Sequence, residues 1–356
     1  MKRIIYIFFI SLWALKTLNA QTVTNVVAVQ NGNTIEIKYD LDQLANIVLL
    51  MSKDGGRNFS IEPQTMLGDV GNNITAGHKR IIWNWKCDGI NQNLYNVCFK
   101  VIAKNIEQQS HRSFQVHGVS FTMIKVDGGT YTMGATSEQG NEAESNEKPR
   151  HKVTLSDYYI GQTEVTQELW QAVMGNTIQQ QRDKESRSFP LKGVGKDYPM
   201  YYISWYECHL FINALNSELR PQLGGKEFAL PTEAQWEFAA RGGTQSNNYK
   251  YSGSNNIEDV SWYGSNARSS SHPVKLKAAN ELGIYDMSGN VWEWCEDWYG
   301  EYKVVGQTNP KGPSAGRSYV LRGGSWFNGA SSARVTCRVH DPGKRKFEIG
   351  LRLVLQ

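Results

Sequence analysis

The chain has 356 residues, a length typical of two domains, and its 40% hydrophobic and 20% charged content is ordinary for a globular protein. The formal net charge is +4, but Lys2, Arg3 and Lys16 lie in a segment that we expect to be removed, which leaves 35 basic against 34 acidic residues. A chain this close to neutral offers no electrostatic basis for binding nucleic acid or an anionic membrane surface.

The first twenty residues have the pattern of a secretory signal peptide. Lys2 and Arg3 form a basic start, and the apolar run from Ile4 to Leu15 is too short for a membrane span. The alternative, a short membrane anchor, is disfavoured because Lys16 ends the run. We therefore expect cleavage after Ala20 and export to the periplasm or the extracellular space, with no transmembrane segment left after signal removal. No cysteine lies near the cut, so we expect no lipid anchor.

Residues 21–105 are predicted to form an all-β sandwich. The segments 33–41 and 94–104 alternate apolar and polar residues, and short apolar runs rich in β-branched and aromatic residues occur at 46–52 and 79–85. Gly-rich and Asn-rich turns separate these runs. Several short strands with no helical period resemble an immunoglobulin-like or fibronectin-like module. Such a module at the front of an exported chain is more often a spacer or a docking unit than an enzyme.

The polar stretch that follows lacks a clean period and is predicted to be a linker over residues 106–120. From Phe121 onward Gly, Trp and amphipathic segments alternate, which marks a second domain over 121–356.

Three helices of this second domain are predicted by their caps, over residues 166–175, 204–219 and 232–243. Ser204 with Glu207 and Thr232 with Gln235 each have the spacing of a capping box. The helices are separated by long polar loops over 176–198, 243–258 and 301–318. This mixture indicates an α+β domain rather than alternating βαβ units.

Five cysteines are present, and their pairing stays open. An odd number in an exported chain leaves at least one thiol unpaired. Cys87 with Cys98 and Cys295 with Cys337 are the plausible pairs, and five buried reduced thiols are the alternative. No spacing typical of a structural zinc site occurs.

Six motifs in the second domain, taken together and in order, resemble the formylglycine-generating enzyme, or sulfatase-modifying factor, family. They read VDGGTYTMG (126–134), EVTQELW (164–170), LPTEAQWEFAARGG (230–243), GIYDMSGNVWEW (283–294), LRGGSW (321–326) and IGLRLV (349–354). The resemblance covers 121–356 and implies an α+β fold related to C-type lectins, with little regular secondary structure. The N-terminal sandwich lies outside it.

The resemblance implies two reactive, copper-binding cysteines after the paired glycine, because thiolates select Cu(I) and perform disulfide exchange. Here the first position matches Asn328, and no cysteine occurs from Glu296 to Thr336. We therefore predict no catalytic residues, no copper and no formylglycine-generating activity. The alternative is an oxidase that converts a sulfatase cysteine, which would require Cys337 and a distant cysteine to converge.

The resemblance also implies a structural calcium ion. Carried over by position, its ligands would be the side chains of Asp286 and Glu293 and the carbonyls of Gly289 and Val291. Calcium prefers such oxygen ligands, and Gly289 permits the turn. The alternative is that Asp286 caps a turn and Glu293 pairs with an arginine.

The expected function is binding or assembly at the cell envelope, with a protein or a glycan as the ligand. In the enzymes the surface beside the reactive cysteines accepts an extended peptide. The corresponding binding residues here would be Ser325, Trp326, Phe327 and Asn328, with Asn328 on the rim. The competing interpretation of Trp326 alone is that it completes the core.

Overall fold

A computed structural model describes residues 3–4, 22–43, 45–89, 97–104, 111–185 and 189–356. The chain folds into two compact units, Met1–Gln109 and Ser110–Gln356. Apart from the two-residue strand β1 at its start, the predicted signal peptide over residues 1–20 lies outside the described residues. Among the described residues, no helix has the length and apolar character needed to cross a bilayer.

The N-terminal unit is all-β, as predicted. Its strands are β1 (Arg3–Ile4), β2 (Val23–Asn31), β3 (Thr34–Leu41), β4 (Ala45–Ser52), β5 (Met66–Gly68), β6 (Gly71–Ile74), β7 (Gly77–Asn84) and β8 (Cys98–Lys104). They form two sheets, in the orders β1-β2-β3-β7-β5 and β6-β4-β8.

Alternation of side chains builds the core between these two sheets. In β3 every second residue is buried, from Ile35 to Leu41, and in β4 the same holds from Ala45 to Met51. Because side chains alternate faces along a strand, each sheet presents one apolar face to the other. The two faces form a single apolar cluster that includes Trp83 and Phe99.

The C-terminal unit mixes short strands with helices. Its strands are β9 (His111–Val116), β10 (Val119–Val126), β11 (Gly129–Met133), β12 (His151–Leu155), β13 (Tyr158–Gly161), β14 (Phe228–Ala229), β15 (Ser261–Trp262), β16 (Ser288–Gly289), β17 (Trp292–Trp298), β18 (Gln307–Thr308), β19 (Tyr319–Arg322), β20 (Arg338–Asp341), β21 (Ile349–Gly350) and β22 (Val354–Leu355). Its α-helices are α1 (Gln167–Met174), α2 (Ile178–Arg182), α3 (Trp205–Leu223), α4 (Glu233–Ala240) and α5 (Ile257–Val260).

Two sheets frame this unit. One has the order β14-β22-β13-β10-β9, and the other has the order β20-β19-β17-β21. Smaller sheets, β11-β12-β18 and β15-β16, complete the unit. The architecture is the predicted α+β fold with little regular secondary structure.

The predicted linker over 106–120 is wrong in its second half. Residues 111–126 form the hairpin β9–β10, and the buried ring of Phe114 packs 5.6 Å from Phe121 and 5.2 Å from Phe228, measured between ring centroids. The C-terminal unit therefore begins about ten residues before the predicted position at 121. This strand is hard to predict because only Phe114 and Val116 of β9 are buried.

The three predicted helices are present at the predicted caps. The Thr166 side chain accepts a hydrogen bond from the backbone of Leu169, and the capping boxes at Ser204 and Thr232 are complete. Helix α3 continues four residues beyond its predicted end. Helix α2 was not predicted, although its N-cap Thr177 also forms a capping box, with Gln180.

Buried ion pairs join distant segments of the C-terminal unit. Four arginines with fully or almost fully buried side chains each face a buried glutamate, in the pairs Arg322–Glu237, Arg334–Glu147, Arg338–Glu233 and Arg352–Glu293. Removing one partner of such a pair leaves a buried charge uncompensated, so both members are needed.

Candidate functional site

The segment after the paired glycine is held by a fixed turn. Gly323 and Gly324 both have positive φ, at 97° and 77°, and a Cβ on Gly324 would lie 2.8 Å from the carbonyl oxygen of Ser332. The backbone N–H of Gly289 donates to Gly323 O at 2.8 Å, and that of Trp326 donates to Asn290 O at 2.8 Å. These backbone contacts fix where the segment 325–328 begins.

The four residues predicted to bind a ligand differ in their exposure. Ser325 and Trp326 are buried, so Trp326 completes the core as the competing interpretation held. Phe327 is 61% exposed, and Asn328 is half-buried. Only Phe327 and Asn328 are accessible to a ligand.

Asn328 is a structural residue as well as an exposed one. Its Oδ1 accepts hydrogen bonds from Trp292 Nε1 at 2.8 Å and from Ser325 Oγ at 2.6 Å. Its backbone carbonyl accepts from Gly264 N at 2.8 Å. In the part of the chain that the structure describes, the Nδ2 group has no acceptor and is not shut off from solvent, so it remains available as a donor.

An aromatic patch surrounds this position, formed by Phe189, Trp326, Phe327 and Phe347. The ring centroids of Phe347 lie 5.0 Å from Phe189, 5.2 Å from Phe327 and 5.6 Å from Trp326. Phe189 and Phe327 are each 61% exposed. Contiguous exposed aromatic side chains of this kind are typical of an interaction site.

The backbone holds the aromatic patch in place. The Tyr202 hydroxyl donates to Phe189 O at 2.8 Å, and the Tyr202 N–H donates to Lys346 O at 3.0 Å. Phe189 and Phe347 were not predicted as site residues, and Phe189 lies in the predicted polar loop over 176–198. Nothing local in the sequence indicates that the two segments meet.

Three charges beside the patch are paired with one another. Arg345 forms a two-point hydrogen-bonded pair with Glu207, and it also contacts Glu185 at 3.2 Å. This pairing holds the pKa of Glu207 at about 2, although burial alone would raise it. The patch thus offers apolar contact beside a paired set of charges.

None of the buried thiols is poised for nucleophilic chemistry. Burial raises the pKa of Cys337 to about 11, and it raises the pKa values of Cys208 and Cys295 well above the ordinary thiol value. A reactive cysteine needs the opposite, a lowered pKa and an accessible sulfur. No disulfide joins any of the five cysteines, all of which lie in the described part of the chain.

Of the predicted calcium ligands, Glu293 is bound to an arginine. Both of its carboxylate oxygens accept from Arg352, at 2.6–3.0 Å, and Oε2 also accepts from Trp236 Nε1 at 2.6 Å. This matches the alternative in which Glu293 pairs with an arginine. Asp286 lies close by, with Oδ2 accepting from the backbone of Lys275 at 2.9 Å.

Acidic groups outnumber basic ones around Asp286. Burial, together with the nearby Glu293 charge, raises the pKa of Asp286 to about 6. Burial and the Asp286 charge raise the pKa of Glu164 well above its usual value, and Glu164 Oε1 is buried without a hydrogen-bond donor. An orphaned carboxylate oxygen beside Asp286 fits a cation better than Glu293 does. Across the described ranges no three His, Cys, Asp or Glu side chains are arranged to hold a metal, so such a cation would also need backbone carbonyls.

Comparisons with known proteins identify the family of the C-terminal unit. Residues 111–356 match the "Sulfatase-modifying factor enzyme 1-like domain" family. "Chaperone protein LppX" of Paenibacillus barcinonensis is 31% identical over 271 aligned residues, which cover 64% of this chain and 84% of that protein. The formylglycine-generating enzyme of Streptomyces coelicolor is 27% identical, over 57% of this chain and 78% of the enzyme.

A solved structure shares the fold of the C-terminal unit. "Treponema denticola variable protein 1" superposes with a TM-score of 0.58 at 34% sequence identity, over 68% of this chain and 98% of that chain. The resemblance that the six motifs indicate is thus confirmed by the family match, by sequence relatives and by a related structure. The chain belongs to the sulfatase-modifying factor family.

Proposed function

We propose that this protein is an exported, non-catalytic member of the family that binds an extended, apolar polypeptide segment through the aromatic patch. The observation that carries the proposal is the pair of largely exposed aromatic rings of Phe189 and Phe327. They lie beside the position where the enzymes carry a reactive cysteine. Apolar side chains of a partner would pack on these rings, and a partner carbonyl would accept from Asn328 Nδ2.

A polypeptide ligand is favoured over a glycan by the chemistry of the patch. Its exposed surface is mainly the aromatic rings of Phe189 and Phe327, whereas a sugar needs several polar partners for its hydroxyl groups. The name of the relative LppX, a chaperone protein, is consistent with binding of a polypeptide.

The positions and pKa values of the cysteines support the proposed lack of catalytic activity. Asn328 stands at the first reactive position, and Cys337 is buried with a raised pKa. The competing function, oxidation of a sulfatase cysteine to formylglycine, needs an accessible thiolate pair. It predicts aldehyde formation when the protein is incubated with copper and a peptide that carries the sulfatase cysteine motif.

Aggregation of a reduced, unfolded secretory protein tests the binding function. We expect the purified mature chain to suppress aggregation, and the double variant Phe189→Ser, Phe327→Ser to lose most of this effect. The control variant is Val304→Ser, Val305→Ser, which removes apolar side chains that are 76% and 72% exposed on a different loop of the same unit. Equal suppression by the patch variant and the parent would place the binding surface elsewhere, and the N-terminal sandwich would be tested next.

Export is part of the same proposal and rests on the signal peptide over residues 1–20. N-terminal sequencing of protein recovered from the cell exterior or periplasm should begin at Gln21. Recovery of the intact N-terminus from the cytoplasm would contradict export.

We also propose a structural calcium ion beside Asp286, held by that carboxylate and by the carbonyls of Gly289 and Val291. Glu293 would act through Arg352 rather than as a ligand, and Glu164 offers a further oxygen. The ion would neutralise excess negative charge in a buried site and would take no part in chemistry.

A further inference from the structure

A cavity of about 370 Å³ lies between the N-terminus of α4 and the end of β17. It shares no lining residue with the aromatic patch. The segment 300–313 closes one side of it. Glycines let the two ends of this segment pack against each other and against Asp297. A Cβ on Gly300 would lie 2.5 Å from Pro313, and a Cβ on Gly312 would lie 2.8 Å from Asp297.

Asp297 and Glu233 are buried carboxyl groups that line this cavity, and Glu233 is paired with Arg338. Asp297 is 4% exposed, and its Oδ2 accepts from the first backbone N–H of α4, at Glu233, at 2.9 Å. Among the described residues no donor reaches Oδ1. A buried carboxyl group with one unfilled oxygen is costly unless something compensates for it.

The nearby arginines face other carboxylates. Arg338 holds Glu233 through Nε and Nη2 and donates through Nη1 to the carbonyls of Asn146 and Gly300. Arg322 is bound to Glu237 and to backbone carbonyls, and its Nε lies 3.3 Å from Glu233 Oε1. Within the described ranges Asp297 therefore has no ion-pair partner.

We propose that this cavity binds an alkylammonium group, with the Asp297 carboxylate as its counter-ion. Trp298 lines the cavity and supplies aromatic surface for a cation. Tyr302 lines it as well, with the Arg338 guanidinium already 4.1 Å from its ring centroid. Met133, Pro310 and Pro313 supply apolar surface for a short carbon chain. An anionic ligand would meet Asp297 and Glu301, with the exposed Lys303 as the free basic group on the rim.

The charge state of Asp297 gives the proposal a pH signature. Burial, reinforced by the Glu233 charge, raises its pKa to about 8. The charged groups that face it are Glu233 on α4, Glu296 on β17 and Arg338 on β20, and the other titratable groups on the cavity walls are His151, Glu301, Tyr302 and Lys303. Below this pKa the carboxyl group is mostly protonated. Affinity for an ammonium ion should therefore rise roughly tenfold between pH 6 and pH 7, and level off above pH 8.

Calorimetric titration of the full mature chain with n-butylammonium tests the site. We expect n-butylammonium to bind at pH 8, while butyrate and n-butanol, which match its size, do not. A second titration uses a lysine that is blocked at both its amino and carboxyl termini. Comparing the two ligands distinguishes a site for a small free amine from a site for a lysine side chain of another protein. Binding of either ammonium compound supports the site, and binding of neither overturns it.

The variant Asp297→Asn keeps an oxygen to accept the Glu233 N–H and removes only the charge. It should weaken n-butylammonium binding at least about tenfold and abolish the pH dependence. The control Glu168→Gln removes an exposed carboxylate on α1, outside the cavity, and should change affinity less than about twofold. Unchanged affinity in Asp297→Asn overturns the proposal. If that variant does not fold, the pH profile of the parent decides, since a flat profile from pH 6 to 8 is incompatible with Asp297 as the counter-ion.

Discussion

Replacing Glu293 by Gln should strongly destabilise the C-terminal unit. The substitution keeps the size of the side chain and removes its charge, so the Arg352 guanidinium is left in the core without its carboxylate. Breaking one side of a buried, hydrogen-bonded ion pair costs about 3–5 kcal/mol. The Trp236 N–H keeps an acceptor in the amide oxygen of the glutamine. The decrease in the free energy of unfolding therefore reports the loss of the ion pair rather than the loss of the hydrogen bond from the indole.

Scanning calorimetry of the full chain in chelator is the assay. For a unit of this size 1 kcal/mol corresponds to a melting-temperature change of roughly 2–4 °C, so we expect the transition of the C-terminal unit to fall by about 6–20 °C. The control Glu168→Gln changes an exposed carboxylate on α1 and should stay within about 0.5 kcal/mol of the parent.

Two results would refute the reasoning about Glu293. One is a loss below about 1 kcal/mol in chelator. The other is a loss seen only with calcium present, which would make Glu293 a metal ligand rather than the partner of Arg352. A double variant with Arg352→Met should recover part of the loss, because removing both charges is less costly than leaving one. Recovery should be incomplete, since Arg352 also donates to the carbonyls of Gly161 and Tyr285, each at 2.9 Å.

Three further predictions concern the metal, the thiols and the chemistry. Calcium at about a hundred times its dissociation constant should stabilise the parent by roughly 2.7 kcal/mol, and Asp286→Asn should show a much smaller shift in melting temperature; a parent that melts alike in calcium and chelator has no such site. A thiol reagent should label Cys87 alone in the native protein, because the other four cysteines are buried, and rapid labelling of a second thiol before unfolding would contradict the structure. Incubation with copper and a sulfatase-motif peptide should yield no aldehyde by mass spectrometry, and stoichiometric conversion would restore the enzymatic interpretation.

The helices could be predicted because their signals are local. A hydroxyl at the N-cap and a Glu or Gln three residues later act within one turn, so Ser204 and Thr232 mark their helices without any tertiary information. Strand β3 could likewise be predicted from period-two alternation within eight residues, and β4 from its short run of apolar residues.

The features that were missed depend on contacts between distant segments. Strand β9 has only two buried residues, and it is fixed by pairing with β10 and by the contact of Phe114 with Phe228. The aromatic patch brings together Phe189 and Phe347, which are far apart in the chain. Likewise, the sequence offered both calcium and an arginine as partners of Glu293, and only the fold places Arg352 against it.

Some residues of the candidate site are needed for the fold, and others are not. Asn328 Oδ1 satisfies Trp292 and Ser325, so a change there disturbs the turn as well as any ligand, and an Asn328→Trp variant would confound binding with stability. Phe327 makes its ring contacts at the surface and is largely exposed, so the core does not demand an aromatic residue at that position. A large apolar side chain kept in water where the fold has no need of it is better explained by a partner than by packing. For this reason Phe327, rather than the residue at the former cysteine position, is where binding by this protein is best tested.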